Sequence, residues 1–159
     1  WNEHRQNKLD AITIHENLLD TLEPLNEKYD FILIDVAGRD SEIFREALLV
    51  SDKIIVPTQA SLLDLDVIPY IADKIKEAQE KNPLLKASVV INKASANPKN
   101  NEVAQAKEYL ADYPIFKLVK TVIHDRKQFR DAIIESRSVS EMGSSKAKDE
   151  LNEFLIEVL

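Results

Sequence analysis

The 159 residues carry 28 acidic and 21 basic side chains, a formal net charge of −7, and 44% of them are hydrophobic. This composition indicates one globular domain with a real core, and it disfavours a surface that is basic all round, although a local basic face remains compatible with it. The chain has no cysteine, which excludes disulfides and thiolate sites, and no apolar run reaches the roughly 18 residues of a membrane span. We therefore expect a single cytoplasmic domain over residues 1–159.

Strand-like and helix-like segments alternate along the chain. Short apolar strands are predicted at 11–14, 30–35, 51–57 and 86–91, with one more short or broken strand within 114–123. Helices with apolar residues at helical spacing are predicted at 18–25, 41–50, 65–79, 103–110, 125–136 and 144–158. This order predicts an α/β fold, a doubly wound and mostly parallel sheet with helices on both faces.

The apolar run from Phe31 to Ile34 is followed by a carboxylate and then a glycine. The run has no period-2 alternation, which predicts a strand buried on both faces. Asp35 ends it, and a carboxylate there is costly unless it meets a cation or hydrogen-bond donors. Gly38 would let its backbone N–H approach a ligand closely. This pattern is typical of a Walker B and switch II element that holds Mg²⁺ and senses a γ-phosphate, but an ordinary strand-to-loop junction explains it equally well.

Several ordered motifs carry a resemblance to one family. The chain resembles the ParA/MinD family of deviant Walker (P-loop) ATPases, particularly its small plasmid-partition ParA proteins of the ParF type. The motifs that carry the resemblance are Tyr29–Gly38, Leu49–Pro57 with Ser61–Leu65, Val89–Lys93, Ile123–Arg126, Ser138-Val139 and Lys146–Glu150. They extend over nearly the whole chain, and the resemblance implies a P-loop NTPase-like fold.

The resemblance also implies roles for individual residues in binding ATP and Mg²⁺. Asp35 would hold Mg²⁺ through water, and the N–H of Gly38 would reach the γ-phosphate. The residues that would contact or flank the adenine are Asn92, Lys93, Ile123 and His124. A turn-starting role would explain Asn92 without any ligand, and a lone histidine is more often a surface or cap residue.

One part of the family pattern is missing from these residues. The family's Lys-Gly-Gly-x-Gly-Lys-Thr/Ser loop, which cradles the phosphates, does not occur in the chain. The resemblance implies that the chain lacks the N-terminal strand and P-loop of a single ParA-like domain. We therefore expect ATP hydrolysis in the full-length parent, and neither tight ATP binding nor hydrolysis by the 159 residues alone.

Basic residues gather in the C-terminal third, where residues 114–148 contain eight lysines and arginines against four acidic residues. ParA-like proteins dimerise with ATP, bind double-stranded DNA non-specifically and work with a centromere-binding ParB-like partner, so the resemblance implies these partners and a nucleoid-associated location. The candidate DNA-binding residues are Arg126, Lys127, Arg130, Arg137, Lys146 and Lys148. A solvated helical face of mixed charge is an equally good interpretation.

Two other classes stay open. In a response-regulator receiver, Asp35 would accept phosphate, with Thr58 and Lys93 as the switch hydroxyl and the cation, but His15-Glu16 stands where a receiver needs two carboxylates. A non-enzymatic adaptor with a vestigial nucleotide fold is the third class. It is what the chain would be if the full gene lacks a P-loop.

Overall fold

The computed structural model describes residues 1–36, 41–97 and 99–159. At its centre is a parallel three-stranded sheet in the order β1-β2-β3. The strands are β1 Lys53–Thr58, β2 Lys86–Ile91 and β3 Phe116–Leu118. Val56 pairs with Val89, and Val89 pairs in turn with Leu118, so β2 is hydrogen-bonded on both sides. The predicted α/β fold with a parallel sheet is confirmed.

Seven α-helices are found in the described residues, and none of these is both long and apolar enough to cross a membrane. They are α1 Leu18–Asn26, α2 Glu42–Val50, α3 Leu62–Leu65, α4 Ile68–Gln79, α5 Glu102–Ala111, α6 Lys127–Ile134 and α7 Lys146–Val158. Local chemistry sets their ends: Ser41 caps α2 by accepting the N–H of Phe44 at 3.1 Å. Pro69 lies in the first turn of α4, where its missing N–H costs nothing.

Helices cover both faces of the sheet. Val56 and Val89 belong to a core that also contains residues of α2, α4 and α5. Val90, the next residue of β2, packs instead with Val119 and with Val158 of α7. Successive strand residues point to opposite faces, so α7 lies on the face opposite to α4 and α5. This is the arrangement expected of a doubly wound sheet.

Two predicted strands are not formed. The segment 11–14 has no regular structure, and Ile12 is 60% exposed. The predicted buried strand at 30–35 is likewise wrong, since Phe31 is 80% and Leu33 93% exposed. The physical reason is pairing: a strand needs a neighbour for its N–H and C=O groups. Within the described residues β1 pairs only with β2, and no strand pairs with 30–35.

Candidate functional site

The carboxyl end of β2 is joined to the end of β1 by Asn92. Its backbone N–H donates to the carbonyl of Thr58 at 2.7 Å, and its half-buried side chain accepts the N–H of Lys93 at 2.9 Å through Oδ1. Lys93 is exposed and has a φ of 52°, a left-handed conformation that costs a non-glycine residue about 1–2 kcal/mol. The chain therefore turns sharply at the sheet edge where ligands of parallel α/β proteins bind.

The chain after β3, which we call the edge segment (residues 119–126), runs beside β2 and beyond it. The N–H of Ile123 donates to the carbonyl of Ile91 at 3.0 Å, and the Ile123 carbonyl accepts the N–H of Ala94 at 3.0 Å. Ala94 and His124 form an isolated parallel bridge. The structure thus brings together the four residues predicted to surround adenine, which are Asn92, Lys93, Ile123 and His124. Their contact with a base stays a prediction.

Two carboxylates of α7 bind the edge segment from its other side. Glu157 accepts the N–H of Lys120 at 2.8 Å and that of Thr121 at 3.2 Å. Glu150 accepts the N–H of His124 at 3.1 Å, and its second oxygen lies 2.8 Å from Nδ1 of the same histidine. That second oxygen also accepts from Arg126, at 2.5 Å from Nη2 and 3.0 Å from Nε. Helix α7 therefore holds the segment at two points.

Both of these carboxylates have depressed pKa values. Burial alone would raise the pKa of Glu150, but the hydrogen bonds from Arg126 and His124 outweigh it, and the pKa lies below its ordinary value. The same competition, here between burial and the N–H groups of Lys120 and Thr121, lowers the pKa of Glu157. The pKa of Arg126 is raised by its hydrogen bond to Glu150. The two glutamates are therefore ionised at neutral pH.

Asp35 lies exposed on the unpaired segment before α2, next to Val36, which packs against the main core. It has no hydrogen bond or ion pair to another described residue, and the described residues contain no cluster of three His, Asp or Glu that could hold a metal. A carboxylate oxygen still suits Mg²⁺ chemically. Gly38 lies outside the described residues. The roles of Asp35 and Gly38 stay predictions.

Most of the candidate DNA-binding residues are paired with nearby acids. The ion pairs are Arg126–Glu150 (2.5 Å), Lys127–Asp131 (2.7 Å), Arg130–Asp125 (2.5 Å) and Arg137–Glu135 (3.6 Å). Lys148 donates to the carbonyl of Met142 at 3.0 Å. Lys146 is exposed and has no ionic partner in the part of the chain that the structure describes. The positive charge of this region is therefore largely compensated, and DNA binding by it stays a prediction.

Sequence reasoning missed the two glutamates of α7 as parts of the site. Glu150 belongs to one of the motifs that carry the resemblance, but the sequence assigns neither it nor Glu157 to the site. A signal was available, because residues seven apart on a helix lie two turns apart on the same face. What the spacing could not show is that this face meets the edge segment.

The chain matches a sequence family described as an AAA domain over residues 4–91. It is similar to the Maintenance of carboxysome distribution protein A of Halothiobacillus neapolitanus, at 27% identity over 148 residues that cover 91% of the chain and 67% of that protein. An uncharacterized protein of Methanocaldococcus jannaschii is 27% identical over 145 residues, covering 88% of the chain and 56% of the relative. An uncharacterized protein of Pseudomonas putida is 35% identical over 97 residues, 58% of the chain and 36% of the relative.

The chain thus spans between about one third and two thirds of the length of these relatives. The family match covers more than half of the chain, from the segment before α1 to the end of β2, and includes Asp35. It is a match to an ATPase domain rather than to a receiver. Together with the parallel α/β sheet, it shows that this chain belongs to the ParA/MinD family of P-loop ATPases.

Proposed function

We propose that the complete protein is a ParA-type partitioning ATPase that segregates plasmid or chromosomal DNA. In this proposal it dimerises when it binds ATP and Mg²⁺, binds double-stranded DNA without sequence preference, and is stimulated by a centromere-binding ParB-like partner. The observation that carries the proposal is the meeting of Asn92 and Lys93 with Ile123 and His124 at the carboxyl end of β2. Ligands of open parallel sheets bind at that end.

The chemistry of Asn92 suits a nucleobase. Its side-chain amide has two N–H donors and a carbonyl oxygen with two lone pairs, and only one of those lone pairs accepts the N–H of Lys93. A donor and an acceptor therefore remain for the edge of adenine, which presents the complementary pair. The half-buried position of this amide at the junction of β1 and β2 limits its movement, so the pairing would be selective.

The phosphates and the metal require more than these residues. Proteins of this family generally use a nucleotide and Mg²⁺, and in our proposal Asp35 holds the Mg²⁺ through water. The glycine-rich loop for the phosphates is not among the 159 residues. We therefore assign ATP binding and hydrolysis to the complete protein.

The proposal is tested on the complete gene product by two measurements. Calorimetry with ATP and Mg²⁺ should show binding, and sedimentation with double-stranded DNA should show association only when ATP is present. DNA affinity should fall steeply with salt because it depends on phosphate contacts. Lys146→Ala should reduce the magnitude of the logarithmic salt slope by about one, whereas Lys81→Ala, at an exposed lysine just after α4, should leave it unchanged.

The outcomes separate the competing functions. A complete protein that binds no ATP would contradict the ATPase proposal and favour an adaptor with a vestigial nucleotide fold. Binding of ATP without ATP-dependent DNA binding would contradict the DNA part alone. In that case the cargo would be of another kind, and the similarity to a protein named for maintaining carboxysome distribution favours a large protein assembly as the second candidate.

A further inference from the structure

The backbone N–H groups of the edge segment are used in two directions. Those that donate toward β2 and its continuation belong to Val119 (to Val89, 2.9 Å), Ile123 (to Ile91, 3.0 Å) and Asp125 (to Ala94, 2.9 Å). Those that donate to the carboxylates of α7 belong to Lys120, Thr121 and His124. On its outer side, the segment therefore has two glutamate side chains where a further strand would otherwise pair.

The two glutamates differ in what they bind. The side chain of Glu157 binds only the start of the segment, at the N–H groups of Lys120 and Thr121. Glu150 lies two helical turns earlier and binds the part that bridges to Ala94, taking both the backbone N–H and the ring of His124. Its side chain is only 14% exposed, and the guanidinium of Arg126 donates to the same oxygen that lies near the ring of His124. Glu150 thus contacts the segment at the predicted base site.

We propose that Glu150 is a positioning residue for nucleotide recognition. By holding His124 and Arg126, it sets where Ile123 and His124 stand relative to Asn92, and so contributes to the preference for adenine. The inference rests on the function proposed above, because it assumes that this end of β2 receives the base. It assigns to a residue of the last helix a part in a site formed by β2 and the edge segment.

The docking of α7 does not depend on Glu150. Ala147 is fully buried and Val158 is 8% exposed, so apolar contacts fix both ends of the helix. Lys53 adds hydrogen bonds from Nζ to the carbonyls of Val158 (3.0 Å) and Leu159 (2.8 Å). The side-chain hydrogen bonds of Glu150, in contrast, all go to His124 and Arg126. Its loss should free the segment locally and leave the helix in place.

The test uses the complete gene product and the substitution Glu150→Gln. Glutamine keeps the shape of the side chain but places an amide nitrogen and no charge opposite Arg126. The matched control is Glu153→Gln, at an exposed glutamate on the same helix. Affinities for ATP, GTP and inorganic tripolyphosphate are measured by calorimetry, and amide exchange of residues 119–126 is followed by mass spectrometry.

For Glu150→Gln we expect about a tenfold loss of ATP affinity, a smaller ATP-to-GTP affinity ratio, faster exchange across residues 119–126, and tripolyphosphate affinity within twofold of wild type. Glu153→Gln should match wild type throughout. An unchanged ATP-to-GTP ratio in a protein whose wild type binds ATP would overturn the inference and leave the proposed function standing. Equal losses for ATP and tripolyphosphate would also overturn it, because they would indicate general damage.

Two further results complete the test. A wild-type protein that binds no ATP would overturn the proposed function and this inference together. If Glu150→Gln does not fold, Glu150→Asp replaces it, since aspartate keeps the charge and withdraws the carboxylate by one methylene. It should produce the same selective loss of ATP affinity, and an ATP affinity equal to wild type would overturn the inference.

Discussion

At the scale of single residues, the proposed nucleotide site depends on one carboxylate and one amide in very different surroundings. Asp35 is exposed on a segment without regular structure, whereas Asn92 is half-buried between the ends of two strands. The amide is therefore positioned by the fold as it stands. The proposed role of the carboxylate, in contrast, requires a metal and a phosphate beside it.

We expect Asp35→Ala in the complete protein to abolish Mg²⁺-dependent ATP hydrolysis without unfolding it. Loss of the carboxylate removes the anchor of the ion that would stabilise charge in the transition state. Steady-state hydrolysis with and without Mg²⁺ measures the effect, and Asp30→Ala, at an exposed aspartate of the same segment, is the control. A rate within about twofold of wild type, well under 1 kcal/mol in the barrier, would remove Asp35 from the site.

We expect Asn92→Ala to weaken ATP binding by about 1–3 kcal/mol, the range for leaving hydrogen-bonding groups unpaired. The matched control is Asn97→Ala. Asn97 is exposed and also accepts a nearby backbone N–H, that of Lys99 at 3.1 Å, but it lies outside the pairing of β2 with the edge segment. Calorimetry with ATP and GTP distinguishes the two variants. Equal ATP affinity in wild type and Asn92→Ala would make Asn92 a turn residue only.

At the scale of elements, side chains of α7 accept hydrogen bonds from the backbone of the edge segment. Its two ionised glutamates accept N–H groups that no strand of the described residues accepts, and an ionised acceptor forms a stronger hydrogen bond than a neutral one. The hydrogen bonds between α7 and the edge segment therefore depend on charge, although apolar contacts at both ends hold the helix itself. Part of the stability consequently depends on pH.

The pKa of Glu157 is lower in the folded protein than its ordinary value, so the group stabilises the fold above the unfolded pKa of about 4.3. That contribution is lost as the pH falls through the lower, folded value. We expect Glu157→Gln to be about 1 kcal/mol less stable at pH 7 and to lose less of its free energy of unfolding than wild type between pH 7 and pH 3. Urea denaturation of the complete protein across this range measures both effects.

Glu153→Gln, at an exposed residue of the same helix, is the control for this experiment and should follow wild type at every pH. Glu150 and Glu141 also have lowered pKa values and remain in both proteins, so some acid sensitivity should persist in Glu157→Gln. Identical slopes for wild type and Glu157→Gln would show that the contact of Glu157 with the edge segment adds nothing to stability.

The elements also show what sequence could predict. The apolar run of the sequence predicts strand β2 at its observed bounds, 86–91. The prediction is confirmed because in the structure this run has a strand on each side and is buried on both faces. The equally apolar run 30–35 was predicted wrongly, because a strand depends on a neighbour that local pattern does not reveal. For the site, the family resemblance pointed to Asn92 and His124 as neighbours, but nothing local indicated that Glu150 would hold His124.

At the scale of the whole molecule, the apolar surface is unevenly covered. Phe31 and Leu33 are almost fully exposed. Val36, on the same segment, packs against the core. Within the described residues, β1 has a pairing partner along one edge only. Exposed apolar side chains and an unpaired strand edge both favour association with another polypeptide.

We therefore expect the 159-residue chain, prepared alone, to self-associate. Sedimentation equilibrium should give a mass above 18.1 kDa that depends on concentration. The double substitution Phe31→Asp with Leu33→Asp should weaken the association, whereas Leu84→Asp, at a residue 77% exposed just before β2, should not. A cooperatively melting monomer of 18.1 kDa would contradict the expectation.

The dependence of the edge segment on α7 also has a consequence for how the protein is made. Ribosomes add residues from the amino terminus, and folding begins during synthesis. Residues 119–126 emerge before α7, so the N–H groups of Lys120, Thr121 and His124 lack their acceptors until Glu150 and Glu157 have been added. We expect a released chain that ends at Ser145 to leave these amides open to exchange. The edge segment would then take its final hydrogen bonds only after α7 has been added.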